Sequence, residues 1–164
     1  MRVFGVTGWK NAGKTTLMER LVAEIAGRGL SVSTLKHAHH GFDMDRQGKD
    51  SFRHREAGAR EVLVASTARF AILHELRGAE EPPLDALIAR LAPVDLVLVE
   101  GWKRDRHPKL EVWRRATGAA LIAADDETIR AIVSDDAPEI ARPVLPFGDI
   151  ARIADFALRE AATL

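Results

Sequence analysis

One eight-residue segment constrains the fold of this chain more than any other: Gly8-Trp9-Lys10-Asn11-Ala12-Gly13-Lys14-Thr15. It meets the pattern G-x-x-x-x-G-K-[ST], in which a glycine-rich loop between a strand and a helix cradles phosphate groups. The flanking sequence fits this context, because the β-prone residues 3–7 precede the loop and an apolar helical stripe follows it at Leu17, Leu21, Val22 and Ile25. A chance match is therefore the weaker interpretation.

The loop predicts a role for each of its parts. Backbone N–H groups of residues 9–15 converge on phosphate oxygens, and the positive end of the helix that begins near Lys14 adds to the attraction. Lys14 would reach the β- and γ-phosphates, and the hydroxyl of Thr15 would bind Mg²⁺. The predicted nucleotide-binding residues of the loop are Gly8, Trp9, Lys10, Asn11, Ala12, Gly13, Lys14, Thr15 and Thr16. For Lys10, phosphate contact, contact with a partner's nucleotide and simple solvation all stay open.

The arrangement of the remaining segments predicts an α/β protein with the P-loop NTPase fold. Strand-like segments lie at residues 3–7, 31–35, 61–65, 70–73, 96–99, 109–115 and 129–133. Helical stripes lie at 17–25, 84–91 and 150–158, and Asp50 or Ser51 would cap a short helix that ends near Gly58. Their alternation favours a mainly parallel sheet flanked by helices. Short adjacent strands after Gly58 and after Gly101 predict some antiparallel additions, and unpaired edges are expected near Phe70 and Leu110.

Length and composition narrow the class of protein. The 164 residues are expected to form a single P-loop nucleotide-binding domain over 1–164. There is no cysteine, so disulfides and thiolate metal sites are excluded and a cytoplasmic location is the expectation. The 24 basic and 24 acidic residues balance, and no apolar run approaches the ~20 residues of a membrane span. We therefore expect neither nucleic acid nor a membrane as partner.

A second acidic residue is predicted beside the loop. The uninterrupted apolar run 96–99 is typical of a strand covered on both faces, and it ends in Glu100. The carboxyl ends of parallel strands share one edge, so Glu100 would meet the loop there and hold Mg²⁺ together with Thr15. A solvated carboxylate at the end of the strand is the alternative. Asp95 precedes the same run and is interpreted as structural.

A polar segment after the second strand is interpreted as a switch-like loop. It contains Lys36, His37, His39, His40, Asp43, Asp45, Lys49 and Asp50. Such a loop at the nucleotide edge can meet the γ-phosphate, Mg²⁺ or a second substrate. Two alternatives stay open: the histidines bind a transition metal, although their spacing matches no standard zinc site, or Asp50 only caps the following helix.

These blocks together resemble the molybdopterin-guanine dinucleotide biosynthesis adaptor proteins, the MobB family. The resemblance rests on the loop ending Gly13-Lys14-Thr15-Thr16, on Lys36-His37-Ala38-His39-His40, on Gly48-Lys49-Asp50-Ser51 and on Leu98-Val99-Glu100-Gly101-Trp102-Lys103. It covers the chain to about residue 115 and is looser beyond. Gly41 and Gln47 depart from the pattern, in which an acid and a proline are expected.

The resemblance implies a GTP-binding accessory protein that hydrolyses GTP weakly. Such proteins assist a partner molybdenum cofactor guanylyltransferase, a nucleotidyltransferase that joins GMP to molybdopterin, and they are typically homodimers. The chain would then be at most a slow GTPase, with GTP and Mg²⁺ bound. A small-molecule kinase and a metallochaperone GTPase are the alternatives.

The residue that reads the base is less marked in the sequence. There is no Asn-Lys-x-Asp sequence, and selectivity for guanine requires a carboxylate that accepts from N1 and N2. Asp135, after the apolar segment 132–134, is the predicted guanine-binding residue, and Asp136 or Asp125 could replace it. Trp9 and Trp102 are candidates for stacking because they adjoin the loop and Glu100, whereas tryptophan more often serves as buried apolar area.

Overall fold

The computed structural model describes residues 1–38 and 41–163, which fall into two compact units. One unit contains residues 1–37 and the chain from Leu84 onward, and the other is Ala38–Pro83. His39 and His40, which were expected in the switch-like loop, lie outside the described residues. The single nucleotide-binding domain expected over residues 1–164 stays a prediction.

The described chain contains the following elements. Its strands are β1 (Arg2–Thr7), β2 (Val32–Lys36), β3 (Glu61–Ala65), β4 (Phe70–His74), β5 (Leu96–Glu100), β6 (Lys109–Val112), β7 (Ile129–Val133), β8 (Val144–Leu145) and β9 (Ala162–Thr163). Its helices are α1 (Lys14–Gly27), α2 (Asp50–Glu56), α3 (Leu84–Ile88) and α4 (Ile150–Glu160), with 3₁₀ turns at Arg115–Thr117 and Ile122–Ala124.

The first unit is built on a mainly parallel sheet. Its described strands have the order β2-β5-β1-β6-β7-β8, and every neighbouring pair in this order is parallel. The short β9 pairs antiparallel with Arg2 and Val3 at the start of β1, whereas β6 pairs with the other end of β1, from Gly5 to Thr7. Strand β1 is therefore central, and its carboxyl end opens directly into the loop of residues 8–15.

Alternation along the central strands sends side chains to two helical layers. Phe4 and Leu98 pack with helices α1 and α4, where the buried partners include Leu17, Leu21, Ile25, Ile153 and Phe156. Val3 and Val97 face the other way and pack with Leu84 and Ile88 of α3. A parallel sheet needs apolar cover on both faces. The predicted α/β fold is therefore confirmed.

Three local expectations are wrong. The strands that follow Gly101, β6 and β7, are parallel instead of antiparallel, and Leu110 lies in a strand paired on both sides. Neither Asp50 nor Ser51 caps α2, because its N-cap is Lys49 without a side-chain cap, and Ser51 Oγ donates to Asp45 instead. The strand pairings join segments that are distant in sequence, and the sequence pattern does not show the direction of the Ser51 side chain.

The second unit is a helix against a hairpin. Strands β3 and β4 pair antiparallel, as predicted, with Leu63 opposite Ile72 and Ala65 opposite Phe70. The side chains of Leu63, Phe70 and Ile72 are 60%, 69% and 55% exposed. Because residues two apart in a strand share a face, one face of this hairpin is apolar and open to solvent. Its outer edges pair with no other described strand.

None of the described helices is both long and apolar enough to cross a bilayer.

A tight contact at the centre of the first unit involves Gly5 and His107. A side chain on Gly5 would collide with Nε2 of His107 and would lie 2.7 Å from Cβ of Lys109, so this strand position has room only for glycine. His107 is 1% exposed, and neither ring nitrogen has a hydrogen-bond partner among the described residues. Burial and, to a smaller extent, Lys109 lower the pKa of His107 to about 4, although Asp105 and Asp126 oppose the shift.

We predict that His107 makes the first unit sensitive to acid. An unfolded histidine titrates near 6.5, so between about pH 4 and pH 6.5 the unfolded chain binds more protons than the folded one. Lowering the pH from 7 to 5 should therefore cost about 2 kcal/mol through this residue. Denaturant unfolding of His107→Gln at both pH values should show a difference smaller by about that amount.

The control is His54→Gln, which changes an exposed histidine of α2. It should leave the difference between pH 7 and pH 5 as in the parent protein. An equal pH dependence in His107→Gln and the parent would contradict the prediction.

Candidate functional site

The loop of residues 8–15 connects β1 to α1 at the carboxyl edge of the sheet. Gly8 has φ 141°, and a side chain there would collide with the carbonyl oxygen of Val112, so the loop leaves β1 in close contact with β6. Gly13 is the N-cap of α1 with φ 105°, and Asn11 has φ 64°. Positive φ is costly except for glycine and, less so, asparagine. These residue types therefore fit the turns that aim the loop over the helix end.

The N-terminus of α1 offers unsatisfied donors. In the described chain its N-cap makes no side-chain hydrogen bond, and its first turn contains no acidic residue. The first N–H groups of a helix have no partner inside the helix, and the helix dipole is positive at that end. This end of α1 is therefore suited to an anion.

Lys14 lies at the centre of a cluster of positive charge. Its Nζ donates to the carbonyl oxygen of Trp9 at 2.8 Å. Burial lowers the pKa of Lys14, the Glu100 carboxylate opposes the shift, and Lys103 and Lys36 add to it. Each effect has an ordinary cause, since burial and like charges disfavour an ammonium ion. A bound anion would favour the charged ammonium and so oppose both effects.

Glu100 lies on the same edge, as its position at the end of a buried strand predicted. It is 9% exposed, its Cα is paired with that of Val6 in the neighbouring strand, and its Oε2 is 3.9 Å from Nζ of Lys36. Glu100, Lys36 and Thr15 line one depression of about 450 Å³ with an apolar floor that includes Met18 and Leu35. A hydroxyl and a carboxylate are thus available on one side of the loop. Asp95, at the opposite end of β5, accepts from N and Oγ of Ser31, which supports its structural interpretation.

Aromatic side chains lie in the loop and after β5. Trp9 is 44% exposed, its Nε1 donates to the carbonyl oxygen of Ala120, and Nζ of Lys103 lies 4.1 Å from its ring centroid. The His37 ring is 5.0 Å from that of Trp102, and the backbone N–H of His37 donates to the carbonyl oxygen of Glu100. A cation above an indole ring is a favourable contact. Lys103 is therefore held close to the loop as well as to Lys14.

The three predicted candidates for reading the base lie in different places. Oδ1 of Asp135 accepts from the backbone N–H of Phe147, and Oδ2 of Asp136 accepts from that of Arg115. Both follow β7 at the carboxyl edge. Asp125 precedes β7 and therefore lies at the other end of that strand. Only the first two share an edge with the loop.

Two residues next to the loop were missed in the sequence. Phe147 is buried, and its ring lies 3.4 Å from the position that a Gly13 side chain would take. Arg114 is exposed, and its guanidinium carbon lies 4.9 Å from the centroid of that ring. The strand expected over 109–115 ends at Val112, which moves Arg114 out of the strand and onto the edge.

The expected switch-like loop is divided between the two units. Lys36 and His37 belong to the first unit, whereas Asp43, Asp45, Lys49 and Asp50 belong to the second. Arg55, whose side chain is 15% exposed, contacts the carboxylates of Asp43, Asp45 and Glu75 at 3.1, 3.3 and 2.7 Å. A hydrogen bond from Ser51 lowers the pKa of Asp45, and Arg55 acts in the same direction. These contacts give two of the carboxylates a structural role, and their role toward Mg²⁺ stays a prediction.

Neither alternative function gains support. Within residues 1–38 and 41–163 no three histidine, aspartate or glutamate side chains are placed to hold a metal ion. A kinase normally places arginines over the phosphates, whereas Arg55 is occupied by three carboxylates.

Fold and loop together define a P-loop NTPase-like protein. Residues 3–135 match the family model of the molybdopterin guanine dinucleotide synthesis protein B, MobB, and the chain belongs to this family. The resemblance predicted from the sequence is confirmed.

Relatives and solved structures agree. The chain is 38% identical over 156 residues to a molybdopterin-guanine dinucleotide biosynthesis adapter protein of Haemophilus influenzae, covering 94% of this chain and 86% of the relative. It is 35% identical over 153 residues to the protein of that name in Escherichia coli, covering 90% and 86%. The crystal structure of a MobB homologue from Bacillus stearothermophilus superposes with a TM-score of 0.69 at 29% identity and 96% coverage of both chains.

We predict that Arg55 holds the segment before α2 in place. Arg55→Ala leaves Asp43, Asp45 and Glu75 without their shared cation, so the local fold should open more often. Hydrogen exchange of the backbone amides of residues 43–51 should become about tenfold faster or more.

Arg53→Ala is the matched control from the same helix. Arg53 is 73% exposed, its carboxylate partner within the described part of the chain is Asp50 at 3.9 Å, and such a surface pair contributes little. Comparable acceleration in both variants would show that the Arg55 network has no special role.

Proposed function

We propose that this chain is a GTP-binding adapter in the biosynthesis of the molybdopterin guanine dinucleotide. Membership in the MobB family supports the pathway, because the relatives at 38% and 35% identity bear the name of an adapter protein for it. The observation that carries the nucleotide-binding part is the setting of Lys14. It lies at a helix end without a side-chain cap, and burial together with Lys103 and Lys36 lowers its pKa. A polyphosphate is the anion that such a concentration of donors and positive charge suits.

We assign Mg²⁺ to Thr15 and Glu100. Both line the same depression, and a hydroxyl with a carboxylate forms the hard oxygen donor set that Mg²⁺ prefers. When bound, Mg²⁺ supplies neutralisation of phosphate charge. Lys14 would bind the β- and γ-phosphates, the N–H groups of the loop would orient them, and Lys36 would pair with the Glu100 carboxylate at the strand end.

We assign the recognition of guanine to Asp135. Guanine presents two donors, N1–H and the N2 amino group, and a carboxylate accepts both. The hydrogen bond from the Phe147 backbone to Oδ1 fixes the orientation of this side chain beside the loop, which supports Asp135 over Asp125.

The remaining assignments rest on the family resemblance together with surface features. The partner would be the guanylyltransferase that attaches GMP to molybdopterin, in the cytoplasm. A homodimer is supported by the exposed apolar face and the unpaired edges of the β3–β4 hairpin. Hydrolysis by the isolated chain would be slow, because the sequence supplies no clear pair of a general base and an arginine finger.

We predict that Lys14→Ala loses GTP binding without unfolding. Titration calorimetry with GTP, GDP and ATP in Mg²⁺ should show tight binding of the guanine nucleotides to the parent protein, and affinity for GTP should fall at least about 30-fold in the variant. Repeating the titration with the guanylyltransferase present tests the adapter role, since GTP and the partner should then affect each other's affinity.

Arg130→Ala is the control, because it removes an exposed cation from β7 away from the loop. Unchanged affinity for GTP in folded Lys14→Ala would exclude the loop as the phosphate site. A parent protein that binds GTP with no mutual effect of the partner would refute the adapter role alone.

We predict that Asp135→Asn reverses the preference for the base. The NH₂ group of an asparagine amide can donate to the C2 carbonyl of xanthine, whereas it cannot accept from the guanine amino group. Affinity for GTP should fall about tenfold or more while affinity for XTP rises, and competition binding measures both. The matched control is Asp136→Asn, and a reversal in that variant instead would identify Asp136 as the reader of guanine.

A further inference from the structure

A cation and an aromatic ring are stacked against the second half of the phosphate loop. The guanidinium carbon of Arg114 lies 4.9 Å from the ring centroid of Phe147, and Nη2 of Arg114 lies 3.6 Å from the position that a Gly13 side chain would take. The ring itself lies 3.4 Å from the same point. Gly13 immediately precedes Lys14, so this pair borders the start of α1.

The ring beneath Arg114 is held firmly. The N–H of Phe147 donates to Oδ1 of Asp135 at 2.9 Å, and its carbonyl oxygen accepts from Nη1 of Arg20 at 2.7 Å. Nη2 of Arg20 also donates to the carbonyl oxygen of Gly148. Phe147 is buried, whereas Arg114 is exposed. A buried ring on an anchored backbone therefore supports a planar cation that has an accessible surface.

The position of this pair is that of a ligand edge. Arg114 follows β6, Asp135 follows β7 and Phe147 follows β8, and these strands are parallel neighbours. Ligands of open parallel sheets bind beyond the carboxyl ends of the strands. Lys14, Lys103 and Glu100 lie at the β1 and β5 side of that edge, where the phosphates would bind. The side of β6 to β8 is left for the rest of a nucleotide.

We propose that Arg114 is the stacking platform for the nucleobase of the nucleotide whose phosphates bind the loop. The inference rests on the proposed function and adds a specific residue to it. A guanidinium plane stacks on aromatic faces and is weakly hydrated, so a purine can lie on it while the Phe147 ring supports it from beneath. Asp135, hydrogen-bonded to the residue beneath the platform, then meets the edge of the base.

The competing role for Arg114 is a contact with phosphate, and two probes separate the roles. Inorganic tripolyphosphate has the phosphates of GTP but no base. Calorimetry with Mg²⁺ should show that Arg114→Ala weakens GTP about ten- to a hundredfold, as expected for the loss of a base stack, and leaves tripolyphosphate within about twofold. Arg114→Lys keeps the charge but lacks the plane, and it should fail to restore the affinity for GTP.

The control is Arg115→Ala, which removes the neighbouring exposed guanidinium. The backbone N–H at this position still donates to the Asp136 carboxylate. This variant should leave both affinities within about twofold of the parent. Thermal unfolding of each variant shows that the comparison is between folded proteins, and Arg114→Lys provides a second variant if the alanine variant does not fold.

Two results would overturn the proposal. Equal losses for GTP and tripolyphosphate, with recovery in Arg114→Lys, would make Arg114 a phosphate ligand. Unchanged affinity for GTP in folded Arg114→Ala would leave it a packing residue of Phe147. A parent protein that binds neither GTP nor tripolyphosphate refutes the nucleotide site itself, which is a different and recognisable failure.

Discussion

Parallel pairing of β1 with a strand on each side is the constraint on which the site depends. Val6 is in register with Glu100 of β5, and Thr7 with Glu111 of β6. The loop that follows β1 therefore lies between the ends of two strands. Glu100 ends β5, and Arg114 follows β6. A shift of one residue in either pairing would send alternate side chains to the opposite face. Apolar cover on both faces of the sheet makes such a shift expensive, so the core fixes the site.

The general fold was accessible from the sequence because its signals are local. The glycine-rich loop, the apolar run 96–99 and the helical stripe of α1 each need only neighbouring residues to be recognised. Strand β6 shows where this approach fails. Charged and apolar residues alternate along it, a pattern typical of a strand with one face in water, yet Lys109 and Glu111 are fully buried. The ammonium of Lys109 donates to the carbonyl oxygen of Asp105 and to Oγ1 of Thr128, and the carboxylate of Glu111 accepts from two backbone N–H groups. Burial of a charge is tolerable only with such partners, and a sequence pattern does not display them.

The candidate site likewise contains residues that were recognised in the sequence and residues that were not. The positions of Lys14, Thr15 and Glu100 followed from one motif and from the geometry of parallel strands. Arg114 and Phe147 did not, because their location depends on where β6 ends and on the two-residue β8, and neither has a periodic signal. The carboxylates of Asp43 and Asp45 were visible in the sequence, but not that Arg55 neutralises them in the second unit. Residue types thus indicate which chemical groups are available, but they do not show which partner each side chain contacts.

The buried carboxylate of Glu111 also has a consequence for the phosphate loop. It accepts from the N–H groups of Ile122 and Ala123, while the carbonyl oxygen of Ala120, in the same segment, accepts from Nε1 of Trp9. A short chain of hydrogen bonds therefore runs from the interior of the sheet, through residues 120–123, to the second residue of the loop. The conformational entropy of that part of the loop is lost when the protein folds and not when a ligand arrives. Glu111 thus contributes to the affinity for any ligand of this loop, although it lies in the core and makes no contact with the ligand.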